Sequence, residues 1–387
     1  MKPKTLLCLA LVLSGVLTAA TADSTHTTVG RNRWRPVPDW DYDGKRILGH
    51  IGNDVCLWDA SNGRLLKTFV GHGEQIFALQ FSPDGKYALS SSWLIPGEVP
   101  SISKDTSVRL WDLAGGKQVY SLEGQVVAGF SPDSQHILTY SELGPNTYRF
   151  EAAVWNTSDG RLLFKAPLEP YCSPMFSSLQ FSPDGRSYVC FEARNVVLRD
   201  ASNGREIRRF RTTAFCFRFV APDTILAIGS DEAAVWDLTT GRIVRRVKAP
   251  SGDADSTSDG RKIVGAWPRM MTVEVETGRV AGGPAPDSGS LGIYVSLLSP
   301  DDKIFAIEWN ETGMSGTAEL FDVNSCQKLT QVNLGDWGHL IGFSPDGATF
   351  LSGGSSFVVY SSKTGKPISQ FNLLGNQVKS FLWTSHG

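Results

Sequence analysis

Ser82-Pro83-Asp84-Gly85 returns as Ser182-Pro183-Asp184-Gly185 and again as Ser344-Pro345-Asp346-Gly347. Looser copies are Ser131-Pro132-Asp133-Ser134, Ala221-Pro222-Asp223-Thr224, Thr257-Ser258-Asp259-Gly260 and Ser299-Pro300-Asp301-Asp302, with Asp41-Tyr42-Asp43-Gly44 the earliest. The eight copies are spaced by 36 to 51 residues. Proline presets φ for the first corner of a turn, Asp bonds its own backbone and Gly accepts positive φ, so each copy reads as a tight turn.

The flanks say what the turn joins. Phe77-Ala78-Leu79-Gln80-Phe81 precedes one copy and Lys86-Tyr87-Ala88-Leu89 follows it. Such short alternating stretches, bounded by Gly, Pro, Asn and Asp, predict strands, and the turn closes a hairpin. A third strand follows in each unit, as in Val55-Cys56-Leu57-Trp58-Asp59, Val108-Arg109-Leu110-Trp111-Asp112, Ala153-Val154-Trp155-Asn156 and Ala234-Val235-Trp236-Asp237. A second turn leads to a fourth, as in Gly63-Arg64-Leu65-Leu66-Lys67 and Gly241-Arg242-Ile243-Val244-Arg245. Four antiparallel strands per unit predict an all-β fold, a single β-propeller of four-stranded antiparallel blades, with eight blades expected and seven the alternative.

The ordered turn, Trp-Asp and Gly-Lys/Arg signals resemble the WD-repeat (WD40) β-propeller family over nearly the whole chain. Gly71-His72 and Asp105 ahead of Trp111 fit that family's further signature, whereas Gly52 and Ser230 stand at the Asp position ahead of Trp58 and Trp236. The third strand decays to Val197-Leu198-Arg199-Asp200, Val273-Glu274-Val275-Glu276, Leu320-Phe321-Asp322 and Val358-Val359-Tyr360-Ser361. These are divergent repeats.

With 387 residues, a formal net charge of -2 and a pI near 6.3, the chain carries no global pull toward nucleic acid or an anionic membrane. Lys2 and Lys4 precede an apolar run at 6–17 that ends on Ala20-Thr21-Ala22. That pattern predicts a signal peptide at 1–22, cleaved near Ala22, then a flexible segment at 23–32 and the propeller at 33–387. A secreted or periplasmic protein without stable membrane insertion is the resulting expectation. Of the cysteines left, Cys56, Cys172, Cys190, Cys216 and Cys326, none has metal-ligand spacing. One disulfide is compatible with them, and the sequence assigns it no pairing.

No catalytic constellation stands out. The six histidines are scattered, and no nucleophile elbow, phosphate loop or dinucleotide fingerprint occurs. No cofactor or metal is expected, and the aspartates of the repeated phrase read as turn formers. The resemblance puts the longer connections between second and third strands on the same face as the connections between blades. On that face the reading places Trp93, Leu94, Ile95, Tyr148, Tyr171, Trp267, Trp309 and Trp337, a candidate binding face of large, stiff side chains. Arg205, Arg208, Arg209, Arg211, Arg242, Arg245, Arg246 and Lys248 fall on two successive fourth strands, where charge also protects an open edge. The tail at 377–387 imitates a further first strand and is expected to pair with the first blade, in competition with 33–40. The expected function is a non-enzymatic platform for protein, peptide or glycan. The alternative is a propeller enzyme acting on polysaccharide, or a quinoprotein-like dehydrogenase.

Overall fold

Each copy of the repeated phrase closes the first hairpin of a four-stranded antiparallel sheet. The computed structural model describes residues 39–372 apart from 75, 93–104, 144–148, 169–178, 193–194, 213, 215, 230–231, 250–253, 267–268, 285–292, 310–314, 337 and 354–355. There are eight such sheets, each built from four strands consecutive in the chain and paired in sequence order. We number these blades 1 to 8, at residues 39–69, 76–123, 126–167, 180–211, 216–248, 254–282, 293–336 and 339–372.

The serine of the phrase supplies an atomic reason for its recurrence. Ser82 N–H donates to Tyr87 O at 2.9 Å and Gly85 N–H to Ser82 O at 2.8 Å. The Ser82 hydroxyl donates to Asp84 Oδ1 at 2.6 Å and accepts from Tyr87 N–H at 2.9 Å. The same hydroxyl pattern recurs at Ser131, Ser182, Thr257, Ser299 and Ser344. In blade 1 a carboxylate takes its place, with Arg46 N–H donating to Asp41 Oδ1 at 2.9 Å. Ser182 is fully buried. Ser182→Ala therefore leaves Ser187 N–H without its side-chain acceptor and is expected to cost about 1–2 kcal/mol in urea denaturation. Ser182→Thr, which imitates Thr257, should stay within about 0.5 kcal/mol of the parent. An alanine variant as stable as the parent removes the hydroxyl from this account.

The fourth residue of the turn adopts positive φ at Gly44, Gly85, Ser134, Gly185, Gly260, Asp302 and Gly347, between 58° and 70°. At each of these positions it faces the first hairpin of the preceding blade. A Cβ on Gly85 would lie 3.1 Å from the Arg46 guanidinium, on Gly185 3.7 Å from Pro132, and on Gly347 within 3 Å of the Asp301 carboxylate. The two non-glycine residues use their side chains for the same junction. Ser134 Oγ accepts from Asp84 N–H at 3.1 Å, and Asp302 accepts from the Ser258 N–H and hydroxyl. A left-handed residue costs a non-glycine side chain strain, and a bond to the neighbouring blade offsets it. The rule holds where the ring closes: a Cβ on Gly44 would sit 3.5 Å from Cδ of Pro345.

A second girdle runs outside the first. Side chains of one outer strand cover the second turn of the next blade: Lys67 bonds Ala114 O, Tyr120 O–H donates to Thr157 O at 2.9 Å, and Arg208 donates to Thr239 O at 2.9 Å. Arg245 bonds Glu276 O in the same manner.

Apolar cores lie between blades, one at each of the eight seams. That decides for eight blades rather than seven. The closing seam joins Trp40, Ile47, Cys56 and Trp58 of blade 1 to Leu351, Phe357 and Val359 of blade 8. Trp58 meets Phe357 edge to face at 5.9 Å between centroids.

One expectation about closure is corrected. The first-strand position of blade 1 is taken by Asp39–Trp40, paired as Asp39↔Leu48 and Trp40↔Ile47. Pro36 and Pro38 argued against this segment as a strand, but the strand begins just after them, where no proline interrupts its hydrogen bonds. Residues 377–387, expected there, lie outside the described residues. Cys56, Cys190 and Cys326 are buried thiols, and Cys172 lies outside the described residues.

Candidate functional site

The two ends of the ring differ. Repeated turns of nearly constant length make one end. At the other, the connection between second and third strands ranges from 52–53 in blade 1 to 93–106 in blade 2, with 143–149 in blade 3 and 310–314 in blade 7. Buried polar networks support that end.

In blade 2, His72 lies before the first strand and Asp105 before the third. His72 Nδ1 is 2.8 Å from Asp105 Oδ2, and Nε2 is 2.6 Å from Ser90 Oγ. Trp111 Nε1–H donates to the same Ser90 oxygen at 2.7 Å. Since that hydroxyl already accepts from the indole, it donates to His72 Nε2, leaving the Nδ1 proton to be given to Asp105. Burial pushes the His72 pKa down against the pull of Asp105, in keeping with this neutral ring. Burial also pushes the Asp105 carboxyl up, but bonds from the Ser107 hydroxyl, Gly73 N–H and His72 outweigh it and hold the group well below the usual carboxylate range. Each member spends its bonding capacity on another, so this is a brace for the connection it closes.

The family signature resembled at His72 and Asp105 is thus realised in blade 2. Blade 3 builds a related brace from residues that sequence reading missed: Trp155 Nε1–H donates to Thr139 Oγ1 at 2.8 Å, which donates to Gln125 Oε1 at 2.7 Å. In blade 4, Arg199 stands at the Trp position and donates to Gly204 O at 3.1 Å and to Pro167 O of blade 3 at 3.2 Å.

Between blades 7 and 8 a different network appears. Buried Glu308 accepts from Leu340 N–H at 2.8 Å and lies 2.6 Å from His339 Nδ1. Within blade 7, on the side that faces blade 6, buried Glu319 accepts from the Trp309 indole at 2.7 Å and from Lys328 Nζ at 2.8 Å.

The innermost strands carry two more buried ionisable groups. Asp39 accepts from Phe81 N–H of blade 2 at 2.8 Å, and burial pushes its carboxyl up to about 8 despite that bond. Arg218 of blade 5 donates to Ser256 O at 2.6 Å and lies 3.6 Å from Asp255 of blade 6. Burial raises the Asp255 pKa while Arg218 opposes the shift. Both pairs tie one blade to the next across the inner wall. Among the described residues no three His, Cys, Asp or Glu side chains are grouped to hold a metal ion.

Of the candidate binding-face residues, Trp93, Leu94, Ile95, Tyr148, Tyr171, Trp267 and Trp337 lie outside the described residues. Trp309 is a correction. It is 2% exposed and packs with Phe305, Ile307, Phe321 and Val323. It ends the strand Ile304–Trp309 in phase with Phe305 and Ile307, so the pleat turns it inward.

The basic outer strands are partly committed. Arg209 pairs with Glu206 and Arg246 with Glu232, while Arg208 and Arg245 hold backbone carbonyls of the next blade. The side chains of Arg205, Arg211, Arg242 and Lys248 are exposed and make no ion pair among the described residues.

Comparison with known proteins agrees with this architecture. A family model described as "WD domain, G-beta repeat" matches residues 63–112. Nuclear distribution protein nudF of Aspergillus terreus is 34% identical over 122 residues, covering 32% of this chain and 23% of that protein. Eukaryotic translation initiation factor 3 subunit I of Nematostella vectensis is 26% identical over 181 residues, covering 43% of this chain and 49% of that protein. The chain therefore spans less than half the length of either relative. Among solved structures, a eukaryotic initiation factor gives a TM-score of 0.52 at 15% identity, over 82% of this chain and 93% of that one. Dihydro-heme d1 dehydrogenase NirN in complex with DHE gives 0.61 at 14% identity, over 88% and 75%. Both likenesses show the fold alone.

The relatives overturn the expected secreted or periplasmic location. Their names, for nuclear distribution and translation initiation, point inside the cell. Export rested on the composition of 1–22 alone, a segment that lies outside the described residues. Among the described residues no helix is long and apolar enough to cross a membrane.

Proposed function

We propose that this chain, which belongs to the WD-repeat β-propeller family, is a non-enzymatic platform that binds a protein partner through the end carrying its unequal connections. The observation behind this reading is the asymmetry of the ring. One end is built from near-identical turns bonded to one another, whereas connections at the other range from 52–53 to 93–106. Variable connections on a rigid scaffold are the usual arrangement for recognition. By their place in the sequence, Trp93, Leu94, Ile95, Tyr148, Tyr171, Trp267 and Trp337 belong to those connections. The buried ionisable groups of the inner strands and Glu308 at the blade 7–8 seam are engaged by neighbouring blades, which supports a structural rather than chemical task for them.

The test compares tagged parent chain with a Trp93→Ala/Trp267→Ala variant in quantitative affinity capture from a cell extract. Loss of two aromatic anchors is expected to lower recovery of the specific partner set by roughly tenfold or more. Equal recovery by both forms, with matching melting temperatures, rules this end out as the binding surface.

A further inference from the structure

The outer strands are not alike. Taken with the residue before it, the fourth strand carries four cations in blade 4 (Arg205, Arg208, Arg209, Arg211) and four in blade 5 (Arg242, Arg245, Arg246, Lys248). No other outer strand carries more than two. Only Arg209 and Arg246 among the eight form an ion pair between described residues. The carbonyls that hold Arg208 and Arg245 satisfy donors without cancelling charge. In a chain of net charge -2, positive potential is therefore concentrated on one arc of the rim.

The same arc also exposes single aliphatic side chains. Every blade exposes an aliphatic residue near the start of its outer strand, and the three most exposed lie on consecutive blades: Ile207 at 52%, Val244 at 65% and Val280 at 54%. The others, from Leu66 at 36% to Leu329 at 48%, are better covered. Protection of an open edge explains a charge on each outer strand. It does not explain four on each of two neighbours, coinciding with the least covered aliphatics.

We propose that the rim of blades 4 to 6 is a docking surface for an acidic, extended peptide segment of a partner protein, one that uses the outer strands rather than the unequal connections. The outer strands are last in their sheets, so their outward backbone groups are available to an added strand. Along the outer strand it joins, such a segment sets acidic side chains against the cations and an apolar one against Ile207 in blade 4 or Val244 in blade 5. A nucleic acid fits less well, because the aromatic ring of blade 4's outer strand, Phe210, is buried and unavailable for stacking on a base.

The probe is a fluorescein-labelled peptide of repeated Glu-Leu-Glu-Ser, titrated by anisotropy at low salt against the full chain. Arg211→Glu/Lys248→Glu is expected to weaken binding by roughly tenfold or more, and Val244→Ser by about threefold. Lys117→Glu/Lys366→Glu, on the outer strands of blades 2 and 8, should leave it unchanged. The proposal is overturned if the parent does not bind the peptide, or if Arg211→Glu/Lys248→Glu binds it as well as the parent. Tighter binding of a single-stranded oligonucleotide or of phosphatidylserine vesicles overturns it equally. Arg211→Glu/Lys248→Glu leaves Trp93 and Trp267 unchanged, so partner capture retained by this variant when peptide binding fails leaves the proposed function standing.

Discussion

Trp58→Ala should destabilise the protein by on the order of 3–5 kcal/mol and loosen one seam before the others. Trp58 is 2% exposed and fills the space between blades 1 and 8 with Trp40, Ile47, Leu351, Phe357 and Val359. Its ring and that of Phe357 crowd the site of a Cβ on Gly49, to 2.8 and 3.0 Å, so repacking from that side has little room. Among the described residues no strand is shared across this seam, because each blade is contiguous in the chain. Closure therefore depends on side-chain packing and on the turn contact between Gly44 and Pro345. Hydrogen exchange should accelerate first in Arg46–Ile51, Asp54–Asp59 and Ser356–Ser361. Trp236→Ala, at a half-buried position of blade 5, should cost less and leave those segments protected. Uniform acceleration around the ring, or a cost below about 1 kcal/mol, contradicts this account of closure.

The second large effect is one of pH. Burial, the dominant cause, pushes the Asp39 carboxyl up to about 8, far above the usual carboxylate range. The folded protein therefore holds a proton that the unfolded chain releases between about pH 4 and pH 8. Stability contributed by this protonated acid is complete below the unfolded value and declines as pH rises through the folded one. Asp39→Asn removes the titration and keeps an acceptor for Phe81 N–H, at the constant loss of the Trp40 N–H contact. The difference in unfolding free energy between variant and parent should move in favour of Asn by about 3–4 kcal/mol from pH 5 to pH 8.5. Urea denaturation at the two pH values reads this change directly. A parallel pair of stability profiles means that the carboxylate is solvated in the folded ring.

Much of the fold was legible because local chemistry repeats. The phrase around Ser82, Ser182 and Ser344 marks a hairpin whose hydroxyl, carboxylate and glycine each have a local task, so a short window contains the whole explanation. Trp309 was misread, although Phe305, Ile307 and Trp309 share one phase of the strand; its place at the strand's end, beside a longer connection, concealed that phase. Less could be read where partners are far apart in sequence. Glu308 meets His339, Asp39 meets Phe81 and Arg218 meets Ser256 only because blades stand side by side. Arg208 and Arg245 looked like edge charges until the next blade supplied carbonyls for them. The variable end of the ring was read from residue type and spacing, and its aromatics remain a proposal for that reason.

Contiguous blades also bear on how such a chain varies. Where a sheet is assembled from both chain ends, adding or removing a repeat must respect the split sheet. Here a cut in the connection between any two blades leaves every sheet intact, and a duplicated segment of one blade's length brings its own turns and its own half of a seam. The blade is thus the unit of inheritance, and a circularly permuted chain that begins at blade 2 and ends with blade 1 retains every pairing within its sheets.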